Sequence, residues 1–320
     1  MKNNLTGFEY PRSLEDALAI LKERGAEARP IGGGTSLVFN PGPRTRVLVD
    51  LSRAGLTRID RSNGHVVLGA MLTARALGRA PLLAATGLQA LREAAWACGS
   101  RLLQNQITLG GNIVGLYPWS DLPPVLIALG ARARIRSKEQ SRELSVEELA
   151  AKHPTKQLAP DELVVEVVVP VPPSGSALSG SARNASANEA GPQDVTPPLD
   201  EGSSSGFGAA FLKFTRTAVD YTLCDVAVAV SIHEGVVTAA SVVASGLRPL
   251  PARLATAEQA LLGKEPTETA FADASRAAMA EALIAKDFRA SCEYRRELLG
   301  VLVRRALETA CHRALGRRSV

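Results

Sequence analysis

Apolar residues recur every three to four positions over residues 12–25, RSLEDALAILKERG, where Leu14, Ala17, Leu18 and Leu21 share one helical face. Ser13 stands ahead of them with Asp16 three residues on, the spacing of a capping box, and Gly25 closes the helix. ARPI (28–31) and RVLVDL (46–51) read as short strands around this helix, so residues 1–53 predict a small α/β unit. A second unit follows over residues 54–171. HVVLGA (65–70) reads as a strand, LQALREAAW (88–96) as a helix, and DLPPVLIALG as a helix with prolines in its first turn. ARARIR (131–136) alternates strictly, with Ala131, Ala133 and Ile135 on one face, as a half-buried strand does. LVVEVVV (163–169) is a strongly β-branched strand that Pro170 stops.

Residues 172–206 contain no aromatic residue and almost no large apolar one, and Ser, Gly, Pro, Ala and Asn dominate. Such a stretch buries too little to offset its ordering entropy, which predicts a flexible linker. Beyond it, in a third unit over 207–320, GFGAAFLKFTR (206–216), DVAVAVSI (225–232) and VVTAASVVAS (236–245) read as strands. His233, Glu234 and Gly235 make the tight connection between the last two. Helical patterns then run from about 253, including CEYRRELLGVLVRRALETA (292–310), and no repeat of fixed period occurs.

Composition narrows the class. With 46% hydrophobic and 22% charged residues the chain is an ordinary globular protein of 320 residues, large enough for two or three units. MKNNLTGFEY has no apolar stretch behind its lysine, so no signal peptide is expected, and VAVAVSI (226–232) is too short to span a bilayer. The four cysteines, Cys98, Cys224, Cys292 and Cys311, are scattered, which argues against a metal centre, an iron–sulfur cluster or a disulfide framework within this chain. A reduced, cytoplasmic setting is expected. The net charge of +5 is carried largely by the C-terminal arginines, Arg295, Arg296, Arg304, Arg305 and Arg313 among them, and reads as a solvated helix face. Only 4% of residues are aromatic, so no stacking platform supports nucleic-acid binding.

Two glycine turns carry the candidate chemistry. IGGGTSL (31–37) follows a strand, and its bare backbone and hydroxyls suit an anion. It lacks the Gly-Lys-Ser/Thr of a nucleotide-hydrolase loop and does not match Gly-x-Gly-x-x-Gly. TLGGN (108–112) repeats the chemistry with Thr108, Gly110, Gly111 and Asn112, and two such turns suit a diphosphate pinched from both sides. Asp121, ahead of Pro123 and Pro124, is placed to accept from ribose hydroxyls; by pattern alone, helix capping by Ser120 or Asp121 is the stronger reading, and the roles can coexist.

Taken in order, YPRSLEDALAILKERG, IGGGTSL, NQITLGGNIV with SDLPPVLIALGA, FLKFTR (211–216), GLRPLPARLATAEQALLG (246–263) and FRASCEYRRELLGVLVRRAL (288–307) resemble the FAD-binding medium subunit of the molybdenum hydroxylases. That family includes xanthine dehydrogenase and the molybdenum-type carbon monoxide dehydrogenase, and the resemblance spans the chain apart from the linker. It implies an α+β fold. A two-subdomain FAD-binding domain of the vanillyl-alcohol oxidase and p-cresol methylhydroxylase type is followed by a C-terminal domain of antiparallel sheet plus helices. It also implies that Pro30, Ile31, Gly32, Gly33, Gly34, Thr35, Ser36 and Leu37, with Thr108, Gly110, Gly111 and Asn112, hold the FAD diphosphate. The family's acid falls on Asp121 and its strand lysine on Lys213, a residue for which sequence alone favours a solvated strand position. Val165 falls where the backbone meets the adenine side, and Phe211 stands where a tyrosine is frequent near the flavin ring.

The role implied is an electron relay, with no catalytic residue and no metal ligand in this chain. A molybdopterin-binding large subunit oxidises the substrate, a 2Fe-2S small subunit passes electrons on, and FAD delivers them to NAD+, a quinone or dioxygen. His65, His153, His233 and His312 stand singly and read as structural or exposed. Two alternatives stay open: a stand-alone flavin oxidase, and a cofactor-free scaffold on the same fold.

Overall fold

In the computed structural model, which describes residues 5–85, 87–171 and 205–316, Ser13 accepts from the amide of Asp16 and opens helix α1 (Leu14–Arg24). Gly25, at φ +52°, ends it. The helix lays Ala17, Leu18 and Leu21 against a three-stranded parallel sheet of β1 (Gly7–Glu9), β2 (Ala28–Ile31) and β3 (Val47–Asp50), in the order β1-β3-β2.

A five-stranded antiparallel sheet follows, ordered β4-β5-β8-β6-β7, from β4 (Ile59–Ser62), β5 (His65–Gly69), β6 (Arg132–Arg136), β7 (Ser141–Ser145) and β8 (Leu163–Pro170). Between β5 and β6 the chain covers one face with α2 (Ala74–Arg79), α3 (Pro81–Ala85), α4 (Gln89–Ala97), α5 (Arg101–Gln104), α6 (Leu109–Gly115) and α7 (Leu122–Ala128). Helix α8 (Val146–Ala151) follows β7, opened by a true capping box between Ser145 and Glu148. The β-branched run of β8 is explained by its place. As central strand it sends Val164, Val167 and Val169 into the helix-covered core and Leu163 and Val165 toward the first sheet's core. A register shift opposite Arg134 and Ile135 permits the switch, with Val165 as the extra residue.

The third sheet, β12-β11-β10-β9, is antiparallel: β9 (Gly206–Phe214), β10 (Cys224–His233), β11 (Val236–Ser245) and β12 (Ala252–Arg253). Glu234 and Gly235, both at positive φ, turn β10 into β11. Helices α9 (Ala255–Gln259), α10 (Glu268–Glu281) and α11 (Cys292–Ala314) complete the chain. β10 is buried on both faces, Ala227 and Ala229 against the middle helices and Val226, Val228 and Val230 against α10 and α11, so its sequence shows no polar alternation. Helix α11 lies so close on β9 that a Cβ at Gly208 would sit 1.9 Å from the Ala310 carbonyl oxygen. The expected linker, 172–206, lies outside the described residues but for its last two, and Gly206 already belongs to β9.

The C-terminal arginines are not a uniformly solvated face. Arg295 is 1% exposed, donates 2.6 Å to the Gly246 carbonyl and pairs with Asp287. Arg313 reaches from α11 to Glu93 on α4 and 2.7 Å to the Ala209 carbonyl, joining the third sheet to the middle helices. The apolar positions of α11 demanded burial; Arg295 shares its buried side and Arg313 lies half-buried at its edge. Burial alone would raise the Asp287 carboxyl, but hydrogen bonds from Arg289 and Arg295 outweigh it and hold the group at about 2. A depressed carboxyl contributes stability that is present above its ordinary value and lost as pH falls through about 2. Asp287→Ala strands the buried Arg295 guanidinium and is expected to lower the unfolding free energy by roughly 3 kcal/mol at neutral pH, with the difference shrinking toward pH 2, measured by urea titration.

Candidate functional site

The cavity that joins the three sheets, about 550 Å³, is the site. Its first wall is the turn after β2. A Cβ added to Gly33 would lie 1.6 Å from the Gln106 carbonyl oxygen, and one on Gly32 would lie 2.6 Å from Thr108 Oγ1. Both glycines are required because the two turns predicted from sequence press directly on one another. Among the described residues the backbone amides of Gly33, Gly34 and Thr35 donate to no protein acceptor. Open amides in a concave glycine turn are anion donors.

The second turn differs from expectation. TLGGN is not a loop: Thr108 caps α6, its Oγ1 accepting from Gly111. The amides of Leu109 and Gly110 bond to the carbonyls of Leu72 and Ala70, both at 2.8 Å, and that of Asn112 to Thr108. The backbone donors of Leu109 through Asn112 are already satisfied. Gly110 is needed for contact with Ala70, whose Cβ a side chain there would meet at 2.9 Å. The residues that line the cavity from these two turns are Pro30 through Leu37, Thr108, Gly110, Gly111 and Asn112.

Asp121 lies at the cavity floor, 2% exposed. It occupies the N-cap position of α7 without capping it; the Leu122 amide donates instead to Asn112 Oδ1 at 3.2 Å, and Ser120 Oγ accepts from Tyr117. The capping reading is therefore corrected on both residues. The carboxylate pairs with Lys213, whose Nζ lies 2.8 Å from Oδ1 and donates to Oδ2 at 2.9 Å. Lys213 also donates to the Ala97 carbonyl and is buried, not a solvated strand residue. Asp121 Oδ1 makes no hydrogen bond of its own. Burial lifts this carboxyl to about 6 against the opposing pull of Lys213. Cys98, on the same floor, is a thiol that burial pushes well up, so it stays protonated.

Two expected residues do not reach the cavity. Val165 sits in the bulge of β8 with its carbonyl taken by the Ala70 amide at 3.0 Å; Leu163 and Val164 line the wall instead. Phe211 shares a face of β9 with Lys213 but is buried among the middle helices, its amide donating to Glu93. Sequence reading passed over an aromatic stack at the cavity's other end. Tyr117 and Trp119 stack at 5.2 Å and 7°, and Tyr221 lies 4.4 Å from Trp119. Two of the chain's few aromatics flanking SDLPP were the available signal.

A family model described as the FAD binding domain in molybdopterin dehydrogenase matches residues 4–172, and one described as the CO dehydrogenase flavoprotein C-terminal domain matches 209–310. The chain is 30% identical to the carbon monoxide dehydrogenase medium chain of Afipia carboxidovorans, over 96% of this chain and 98% of that one. It is also 30% identical to the 6-hydroxypseudooxynicotine dehydrogenase complex subunit alpha of Paenarthrobacter nicotinovorans, over 96% and 95%. Superposition on a chain of reconstituted CO dehydrogenase from Oligotropha carboxidovorans gives a TM-score of 0.81 at 28% identity, covering 98% of this chain and 100% of that one.

The contact between the turns is open to direct trial. Gly33→Ala forces them apart and is expected to destabilise the chain by about 2–3 kcal/mol. Gly7→Ala, with nothing within 4 Å of the added carbon, should stay within about 0.5 kcal/mol in the same denaturant titration.

Proposed function

Because the chain belongs to the family of FAD-binding medium subunits of molybdenum hydroxylases, we propose that it relays electrons inside a heteromeric oxidoreductase. Its reducing partner is then a 2Fe-2S small subunit, supplied in turn by a molybdopterin-binding large subunit. The observation that carries this reading is the pressing together of the two glycine turns over a cavity of cofactor size, inside a chain matched nearly end to end by named medium chains. Several relatives are by name subunits of dehydrogenase or hydroxylase complexes, which supports the heteromeric part. No helix among the described residues is long and apolar enough to cross a membrane.

The residues present fit FAD. Gly33, Gly34 and Thr35 offer unspent amides to a diphosphate, with Thr35 and Ser36 hydroxyls beside them. Thr108, Gly110, Gly111 and Asn112 form the opposite wall and supply shape, since the amides of Gly110, Gly111 and Asn112 are committed. Asp121, whose Oδ1 lies against the Lys213 ammonium without a complete hydrogen bond, would accept from a ribose or ribityl hydroxyl, and Lys213 orients that carboxylate. When bound, FAD supplies both one- and two-electron chemistry; the protein contributes position, exclusion of water and local charge. At the more exposed end, Trp119 and Tyr221 leave an aromatic rim through which an acceptor reaches the cavity. The same reading divides the chain into a cofactor-binding part up to residue 171 and a C-terminal part from 207 that contributes Lys213.

Equilibrium dialysis tests the core of this. The purified chain is expected to bind one FAD, with Lys213→Met weakening it at least tenfold, about 1.4 kcal/mol or more. Absence of flavin binding by the folded chain overturns the reading, and substrate turnover by the isolated chain favours the stand-alone oxidase.

A further inference from the structure

Asp225 opens the buried run of β10 and pairs in register with Lys213 across β9 and with Ser245 across β11. It is 0% exposed, and neither carboxyl oxygen completes a hydrogen bond. The Thr222 hydroxyl is its neutral neighbour and the one group beside it placed to donate, though the geometry of a full hydrogen bond is not reached. The groups that face Asp225 are Lys213 from β9, Asp121 from the turn before α7, Cys98 from the end of α4 and Cys224 on its own strand. Arg295 acts on Cys224 from the far side. Two acids therefore lie beside one largely buried lysine, Asp121 in an ion pair with it and Asp225 as its register neighbour across the sheet.

One cation neutralises one anion. An unpaired carboxylate in so dry a place gives up its charge by taking a proton, and two neighbouring acids cannot both ionise cheaply. Asp121 holds Lys213 at 2.8 Å, so the negative charge rests there and the proton on Asp225. Burial, then the charge on Asp121, pushes the Asp225 carboxyl well above its ordinary range, in agreement with the geometry.

We propose that Asp225 is a reserve counter-ion for Lys213, neutral while Asp121 is charged and able to take over the charge when Asp121 is removed. It is a positioning residue: it helps seat Lys213 in the cavity wall beside Asp121. This rests on the reading of the cavity as the FAD site. The two acids then titrate as a coupled pair and not as independent groups.

The test has two arms. Infrared spectroscopy of the cofactor-free chain with isotope-labelled aspartate is expected to show a protonated carboxylic-acid band at neutral pH, lost in Asp225→Asn. The band is also lost in Asp121→Asn, because Asp225 ionises to replace it. In FAD titrations, Asp225→Asn is expected to weaken binding at least tenfold more in an Asp121→Asn background than in the wild type. A wild-type chain without the band, or effects that multiply independently within twofold, overturns the proposal. A chain that shows the band but binds no FAD sinks the cavity assignment and leaves the paired acids standing. Should the double variant fail to fold, the wild-type and single-variant spectra still decide.

Discussion

The contact between Gly33 and the Gln106 carbonyl governs the molecule's organisation, because it is where a turn of the first sheet touches the helical layer of the second. Any side chain at that position displaces one turn from the other. With hydrogen at the Cα, the turn settles with its amides facing a cavity instead of a protein carbonyl. The second turn behaves in the opposite way. Its amides are bound to Ala70, Leu72 and Thr108, so it is a rigid wall against which the open turn is set. The asymmetry makes sense physically: one turn supplies donors and the other holds them in place.

The third sheet completes the site through charge. Lys213 comes from β9, Asp121 from the turn before α7, and their pairing ties the C-terminal sheet to the middle helices at the cavity floor. Arg313 and Glu93 make a second such tie a short way along β9. Buried ion pairs add little net stability, but each is costly to break from one side, so they fix relative position more than they add cohesion. Membership of the medium-subunit family agrees with this division, since the two matched segments, 4–172 and 209–310, are the two partners that these pairs join.

Much of this was legible from the chain. The period of Leu14 to Leu21, the β-branched run of β8 and the strands 225–232 and 236–245 were readable because local pattern and burial agree there. Both glycine turns, Asp121 and Lys213 were singled out, and they do meet. The misreadings share one cause, which is tertiary use of a residue with an ambiguous local role. Thr108 to Asn112 looks like a loop because two glycines rarely begin a helix, yet the Ala70 contact demands Gly110. Asp121 looks like a cap, but Asn112, ten residues away, caps the helix and frees the acid for Lys213. Val165 is turned from the cavity by a bulge that no periodicity reveals. Arg295 belongs to a charged run and is nonetheless buried, because Asp287 and the Gly246 carbonyl receive it. Asp225 was hidden inside a strand whose apolar character drew all the attention.

The central claim is that the open amides of residues 33–35, and not those of the second turn, hold the cofactor's diphosphate. Hydrogen–deuterium exchange with FAD and with riboflavin, which lacks the diphosphate, measures this most directly. The account predicts that FAD slows exchange at Gly33, Gly34 and Thr35, that riboflavin does not, and that Gly110 to Asn112 change little with either. Protection by FAD confined to the second turn, or equal protection of the first turn by riboflavin, would contradict it.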